Sequence, residues 1–430
     1  MGSSTTPPSG FRDFLPEACA ARAKVIETIS GVYRSFGFQP IDTSAVEDLP
    51  VLLGKGGGEN EKLIFKILKR GEKLERTEPG SELADLGLRF DLTLPLARFY
   101  SRYCGQLPNP FKAYHIGPVW RAERAQKGRY REFYQCDADI IGSESMLCEV
   151  EVISALDAAF RAFKIEPIIW LSDRSLLFSL LDQAGVPADK RGEACLLLDK
   201  LDKVDRQTLL GELETAVGAQ CAKWLQSHIL GGKVDRDRLD AAAPEAMGRL
   251  NQIMDILKNS PVQGRLELRP SLVRGFDYYT GPVFEFRHPR LSGAIGGGGR
   301  YDRLTEQFSG KGTPACGASI GFERLMLILE ESGSVAKADE LRACVSVFSP
   351  ELLGHSIKTA AQLRAAGWNV DLYTGTGKLK AQFKYADTRR AKLAIIIGPE
   401  EAAAGKIKVK DLSTGQETLT TTENLEKPGS

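Results

Sequence analysis

Arg121-Ala-Glu-Arg-Ala-Gln-Lys-Gly-Arg-Tyr-Arg-Glu-Phe-Tyr-Gln-Cys-Asp-Ala-Asp139 is the stretch from which the rest of the chain can be read. Lys127-Gly128 is a turn pair between two polar arms, so the segment reads as an antiparallel hairpin running into a strand. Arg121 and Arg129 fall on opposite arms, where guanidinium forks suit a phosphate and a carboxylate. Gln135, Asp137 and Asp139 follow on the strand, an acidic end able to receive an amine. Anion binding and ammonium binding therefore meet in one short segment.

At 430 residues the chain is too long for one ordinary core, which predicts two or three domains. Lys+Arg 57 against Asp+Glu 56 leaves a net charge of +1, so any contact with a nucleic acid has to rest on local patches. The 8 cysteines and 4 histidines form no C-x-x-C pair and no cluster at metal-ligand spacing, so reduced thiols and no structural metal are expected. No apolar run reaches membrane-spanning length and no secretory signal opens the chain, which points to the cytoplasm.

After a polar tail, residues 18–36 carry Val25, Ile26, Ile29 and Val32 at helical intervals, and Gly37 stops the helix. Residues 38–41 read as a short strand whose Pro40 favours an edge or an interface. Strands are expected at 63–67, 87–91 and 112–120, with a helix at 95–103, then the hairpin, a helix at 145–163 and a strand at 165–171. Residues 173–259 turn Leu-rich and charged, the text of a helical insertion. Strand language returns at 266–286, 293–299 and 313–320, before a helix at 321–331. Beyond a polar stretch at 333–337, strands at 343–348, 370–373, 393–397 and 407–412 alternate with helices at 352–366 and 378–388. That order predicts a small α/β unit with a mainly parallel sheet.

Further stretches carry chemistry, each with a plainer alternative. Asp91 and Thr93 stand two apart in Arg89-Phe-Asp-Leu-Thr93, on one side of an extended segment that would bind an ammonium; alternatively they cap the following helix. Arg274-Gly-Phe-Asp-Tyr-Tyr-Thr-Gly281 joins a cation, two tyrosines and flanking glycines, either a ligand surface or a turn with its tyrosines in the core. Gly296 to Gly299, before Arg300-Tyr301-Asp302, is a pocket floor or a flexible loop, and it lacks P-loop order. Arg324, early in its helix, binds a terminal phosphate and stacks on a base, or pairs on the surface with Glu323 or Glu330. Lys378 to Lys392 interleaves cations with Phe383 and Tyr385, which suits a polyanion or an ordinary solvated helix face.

Taken together, these stretches resemble the three motifs of class II aminoacyl-tRNA synthetases, and within that class the histidyl-tRNA synthetase family, over nearly the whole chain. Leu272 to Tyr279 and Gly298-Gly-Arg-Tyr-Asp302 look like its two histidine-specific motifs. The hairpin from Arg121 resembles motif 2, residues 321–325 motif 3, and the first helix with Pro40 the dimer-forming motif 1. The resemblance implies an α+β fold: a six-stranded antiparallel catalytic sheet in 1–172 and 263–332, a helical insertion at 173–262 and an anticodon-binding α/β domain at 338–430. It implies L-histidine, ATP with Mg²⁺ on its phosphates, histidine tRNA and a homodimer.

By the same resemblance Asp91, Leu92, Thr93 and Gln135 would hold the amino end of histidine, and Asp139 and Tyr279 its imidazole, with Tyr278 beside it. Arg121 would bridge carboxylate and α-phosphate, Arg274 would stabilise the charge developing there, and Arg324 would hold the γ-phosphate. Glu123, Arg129 and Phe133 would complete the ATP site, while Gln126, Lys127, Lys384 and Arg389 would meet tRNA. Where one branch of the family has glutamates at the two substrate-binding acid positions, this chain has Asp91 and Asp139. The main alternative is a noncatalytic paralogue such as the regulatory subunit of an ATP phosphoribosyltransferase. Such paralogues lose motif arginines, whereas Arg121, Arg274 and Arg324 are present here. A class II enzyme for glycine, proline or threonine fits the 274–279 motif poorly.

Overall fold

Strand and helix periods in the sequence sort into closely matching elements in the computed structural model, which describes residues 5–54, 60–77, 81–125, 128–201, 204–230, 235–274, 278–334 and 342–425. Contacts separate two compact units, 1–14 with 22–335 and 15–21 with 336–430.

In the first unit one sheet contains β1 Gln39–Pro40, β2 Phe111–Trp120, β3 Glu132–Ile141, β4 Ile168–Asp173, β5 Arg265–Leu268, β6 Pro282–Arg287, β7 Ala294–Arg300 and β8 Ala315–Gly321. Their order is β1-β2-β3-β8-β7-β6-β4-β5. From β2 to β4 all neighbours are antiparallel, the six-stranded core that was expected. A parallel strand extends it at each edge, making eight. Pro40 lacks a donor and accordingly lies on edge strand β1. β5 returns to the sheet only after the helical stretch, so no local pattern announces the pairing.

Alternation along β3 decides which chemistry meets which face. Gln135, Asp137 and Asp139 lie opposite Gly321, Ser319 and Gly317 of β8. Cys136, Ala138 and Ile140 point the other way and are buried. Four helices matter here: α1 Pro16–Ser35, α2 Thr93–Tyr103, α3 Leu147–Ala162 and α4 Phe322–Glu331. α3 packs its buried Val152, Ile153 and Leu156 inward, and its Phe160 meets Phe286 of β6 at 5.5 Å between ring centroids. Arg300 fixes α3 to β7, donating from Nε and Nη2 to the two Glu149 oxygens at 2.6 and 2.8 Å. The same guanidinium donates to the Ser143 and Ser145 carbonyls.

Several boundaries differ from expectation. Residues 60–63 form a 3₁₀ turn and the strand starts later, at Lys66–Leu68; it joins Ala84–Leu88 and Val46–Asp48 in a small sheet. That middle strand ends before Asp91; the Arg89 N–H still donates to the Ala45 carbonyl at 3.0 Å, and its guanidinium donates to the Pro118 and Thr43 carbonyls at 3.0 and 2.7 Å. Between β5 and β6 the described residues form no strand; Leu272 N–H turns back to the Arg269 carbonyl at 2.9 Å beside donor-less Pro270. The described residues between β4 and β5 are helices and turns, from Arg174–Gln183 to Pro244–Lys258.

The second unit has a five-stranded sheet in the order Val370–Leu372, Ala343–Val345, Leu393–Ile396, Ile407–Asp411, Glu417–Thr420. Its first two pairings are parallel and its last two antiparallel, so the sheet is mixed rather than mainly parallel. Glu417–Thr420 is exposed on both faces and has no apolar alternation to reveal it.

Glu149 is 1% exposed, so its removal takes away the bidentate partner of a buried Arg300, leaving it the Ser143 and Ser145 carbonyls and Asp302 at 3.3 Å. Glu149→Ala is expected to cost about 3–5 kcal/mol, read as a lower urea midpoint of the first unit. Glu149→Leu combined with Arg300→Met should recover most of it. An unchanged midpoint in the single variant would show that the pair does not hold α3.

Candidate active site

Asp91 lies just before α2 rather than on an extended segment with Thr93, which opens the helix itself. Its Oδ1 accepts from the Leu94 N–H at 3.2 Å, so the capping role is real for one oxygen. The other, Oδ2, is buried without a hydrogen-bond partner. Burial lifts this carboxyl to about 6, with the Leu94 N–H and Arg121 pulling it back. Leu92, between them, is buried.

On the sheet, Asp139 accepts from the Tyr301 hydroxyl at 2.5 Å. Burial raises its carboxyl to about 7; Tyr301 offsets part of that and the Asp91 charge adds to it. A Cβ on Gly317 would overlap Asp139 Oδ1, so the opposing position has no room for a side chain. Asp137 is pushed well above the ordinary carboxylate range by burial and then by Asp139. Gln135 Nε2 lies 3.3 Å from both Asp137 Oδ1 and Ser319 Oγ, while its Oε1 is buried and unpartnered.

Cations face these acids. Arg121 donates from Nε to the Phe90 carbonyl at 3.0 Å and lies 5.1 Å from the Phe133 ring centroid. Burial opposes its charge, and Asp91 and Glu123 support it. Arg129 pairs with Glu123 at 3.2 Å. Arg274 donates from Nη1 to Glu285 Oε1 at 2.9 Å, and its Nε is buried without a partner. Burial works against its proton, yet Tyr279 and Glu285 outweigh that and raise its affinity. Arg324 donates from Nη1 to the Ala294 carbonyl. Surface pairing of Arg324 with Glu323 is not seen, because Glu323 is held by Arg12 and Arg22. Burial, then Arg129, and further Arg287 and Arg274 oppose the Arg324 charge. Several guanidiniums thus converge around Glu285, a density of positive charge suited to a polyanion.

Tyr278 lies 4.8 Å from the Tyr279 ring and 5.9 Å from that of Tyr301, with a hydroxyl contact to Thr93. The glycine run is strand β7, not a loop. A Cβ on Gly297 would stand 2.8 Å from Arg274 Nη1, and one on Gly299 2.9 Å from the Tyr279 ring. The strand is therefore bare where Arg274 and Tyr279 press on it.

Asp91, Thr93, Arg121, Arg274, Tyr278 and Tyr279 are brought into one neighbourhood with Gln135 and Asp139. Gln126 and Lys127 lie outside the described residues, as do Gly275 to Asp277. Lys384 and Arg389 belong to the second unit, on the helix Leu379–Thr388. Lys384 is exposed, but Arg389 pairs with Asp371 at 3.6 Å and the Phe383 ring has Lys410 at 5.5 Å, so stacking there is already partly engaged. Sequence reasoning missed Glu285 and Ser319. An acid inside the apolar run Pro282-Val-Phe-Glu-Phe-Arg287 was the signal for the first; the second had none.

Chemically, acceptor oxygens on one side and arginines on the other can anchor an ammonium while charge is redistributed on a bound polyanion. Among the described residues no group of three or more His, Cys, Asp or Glu is placed to hold a metal ion, and no helix is long and apolar enough to cross a membrane.

Comparison with known proteins gives a concordant result. A family model described as "Histidyl-tRNA synthetase" matches residues 10–325, and one described as "Anticodon binding domain" matches 342–427. The histidine–tRNA ligase of Rhodopirellula baltica is 38% identical over 425 residues, spanning 94% of this chain and 92% of the relative. That of Leifsonia xyli is 40% identical over 402 residues, spanning 89% and 92%. The crystal structure of histidyl-tRNA synthetase from a Nostoc species superposes with a TM-score of 0.78 at 30% identity, covering 98% of both chains.

The raised Asp139 carboxyl has a consequence for stability. Its folded-state value, about 7, exceeds the unfolded one, so the native state holds the extra proton and stability falls as pH rises toward 7. Asp139→Asn is expected to raise the thermal midpoint by about 3 °C or more at pH 8, the gain shrinking to nothing near pH 4. A gain independent of pH would refute the assignment.

Proposed function

The chain belongs to the histidyl-tRNA synthetase family, and on that premise we propose how its residues carry out the histidine–tRNA ligase reaction. It is an aminoacyl-tRNA synthetase, a ligase with ATP as substrate. The observation that carries the substrate reading is a matched set of unpartnered buried atoms: acceptors on Asp91 Oδ2 and Gln135 Oε1, and a donor on Arg274 Nε. A zwitterionic amino acid supplies the complement, ammonium hydrogens for the first two and a carboxylate for the third. Each bond made there relieves a polar group of its burial cost, about 1–3 kcal/mol.

Asp91, Leu92, Thr93 and Gln135 thus surround the α-amino group, and Asp139 with Tyr279 addresses the imidazole, Tyr278 lying alongside. Tyr301 already fixes Asp139, which orients that carboxylate before substrate arrives. Arg121 bridges the substrate carboxylate and the ATP α-phosphate, with Phe133, Glu123 and Arg129 around the nucleotide. Arg324 takes the γ-phosphate. A carboxylate oxygen attacks the α-phosphorus in line, the bond to the β-phosphate oxygen breaks, and pyrophosphate leaves. Arg121 and Arg274 supply alignment and positive charge, so no protein nucleophile is required. Mg²⁺ enters with ATP as part of the substrate, bound mainly to phosphate oxygens and water. The terminal adenosine hydroxyl of histidine tRNA then attacks the mixed anhydride and AMP departs.

Residues 1–172 with 263–332 form the catalytic domain in this reading, 173–262 an inserted helical domain and 338–430 the anticodon-binding domain. Gln126 and Lys127 meet the acceptor end, and Lys384 and Arg389 the anticodon side. A cytoplasmic homodimer completes the proposal.

Purified protein is expected to catalyse histidine-dependent ATP–pyrophosphate exchange and to charge histidine tRNA. Absence of exchange, with binding to a phosphoribosyltransferase subunit instead, would favour the regulatory paralogue. Arg274→Ala should lower the exchange rate by about 10²–10³; an unaltered rate removes Arg274 from the mechanism. Lys384→Glu should raise the KM for tRNA while leaving exchange untouched, and an unmoved KM would take that helix face out of tRNA binding.

A further inference from the structure

Residues 8–14 span the end of a polar tail and the lead-in to the first helix, yet they are tied to both elements that carry Arg129 and Arg324. The Arg131 N–H donates to the Gly10 carbonyl at 2.9 Å, and Arg131 Nη1 to the Ser9 carbonyl at 3.3 Å. Gly10 has φ +88°, and a Cβ there would lie 2.7 Å from Arg131 Cγ. Only glycine suits that crossing. Two residues on, the Arg12 guanidinium sits 3.3 Å over the Tyr130 ring and sends Nη2 to Glu323 Oε2 at 2.6 Å. Arg22 of α1 takes both Glu323 oxygens at 2.9 and 2.7 Å. The Phe14 ring lies 4.9 and 4.2 Å from the two guanidiniums, and Phe11 packs on Phe65 at 5.9 Å.

These ties have a physical purpose. Tyr130 and Arg131 follow Arg129 directly, and Arg131 Nε donates across the hairpin to the Glu123 carbonyl at 3.1 Å, beside the Arg129–Glu123 pair. Glu323 stands in the first turn of α4, next to Arg324. Arg129 and Arg324 repel each other, so neither can hold the other in place. A carboxylate shared by Arg12 and Arg22 anchors the start of α4 without consuming Arg324, and the 8–14 backbone anchors the hairpin arm. Both anchors meet at Arg12.

We propose that residues 8–14 are a strap holding the arms 121–125 and 128–131 against α4, and that Arg12 is a positioning residue for the ATP-binding arginines, acting through Glu323 and Tyr130. This rests on the ligase reading above, in which Arg129 and Arg324 contact ATP. Arg12→Ala in the full chain is expected to lower kcat/KM for ATP in exchange at least about tenfold, with the KM for histidine and single-turnover transfer from preformed adenylate to tRNA unchanged. Arg22 still holds Glu323, so the thermal midpoint should move by less than about 3 °C. Arg12→Lys should recover part of the loss, because the ion pair survives without the stacked plane.

Tyr130→Leu, which removes the platform from the other side, should reproduce the ATP-specific defect. An unchanged ATP parameter in Arg12→Ala overturns the proposal, as does an equal loss of exchange and transfer together with a fall in midpoint. ATP affinity by equilibrium dialysis separates the two readings. Wild-type protein that binds ATP without exchange sinks the ligase reading alone; Arg12→Ala with wild-type ATP affinity sinks the strap.

Discussion

The first unit depends on the two-residue period of β3. That period sends Gln135, Asp137 and Asp139 to one face and Cys136, Ala138 and Ile140 to the other. A one-residue slip in register would bury the acids under α3 and expose the apolar set in their place. The register is held from both sides, by β2 along its whole length and by β8 through seven consecutive partners from Ala315 to Gly321. Arg300 then locks the covering helix to β7 from the opposite face.

Placing acids on a sheet interior has a cost that the neighbouring strands are built to contain. Asp137 and Asp139 resist ionisation because they share one dry region, and Asp91 adds its own charge nearby. Room for them comes from β8 and β7, where glycines stand opposite Asp139 and beneath Arg274. Counter-charge comes from Arg121 to Asp91 and from Arg274 and Arg287 to Glu285. Glu285 keeps the arginines from facing one another unscreened, which is why an acid belongs among so many guanidiniums.

What the sequence made legible follows the range of the interaction responsible. The strands and helices around the hairpin, the edge position of Pro40 and the helical character after Asp173 all arise from local periodicity, and they appear close to where that periodicity places them. Gln135, Asp139 and Asp91 were legible as candidates because acids and an amide in strand text are chemically conspicuous. The pairing of β5 with β4, the exposed strand Glu417–Thr420 and the partners Ser319 and Glu285 were not, since each depends on contacts formed far along the chain or lacks apolar patterning. The ties of residues 8–14 were not legible for the same reason: a polar tail announces no distant partner, and Arg12 has one in Glu323.

Asp91 shows how one residue serves two readings that the sequence left as alternatives. Its Oδ1 is spent on the Leu94 N–H at the start of α2, which fixes the carboxylate plane to a rigid element. Its Oδ2 is thereby aimed, buried and left without a partner. A free side chain would lose rotamer entropy when it closed on a ligand; here helix capping has already restricted it during folding. The same economy holds for Asp139, oriented by Tyr301. Capping and the proposed ligand recognition are therefore compatible readings of Asp91, because the cap is what makes the remaining oxygen a directed acceptor.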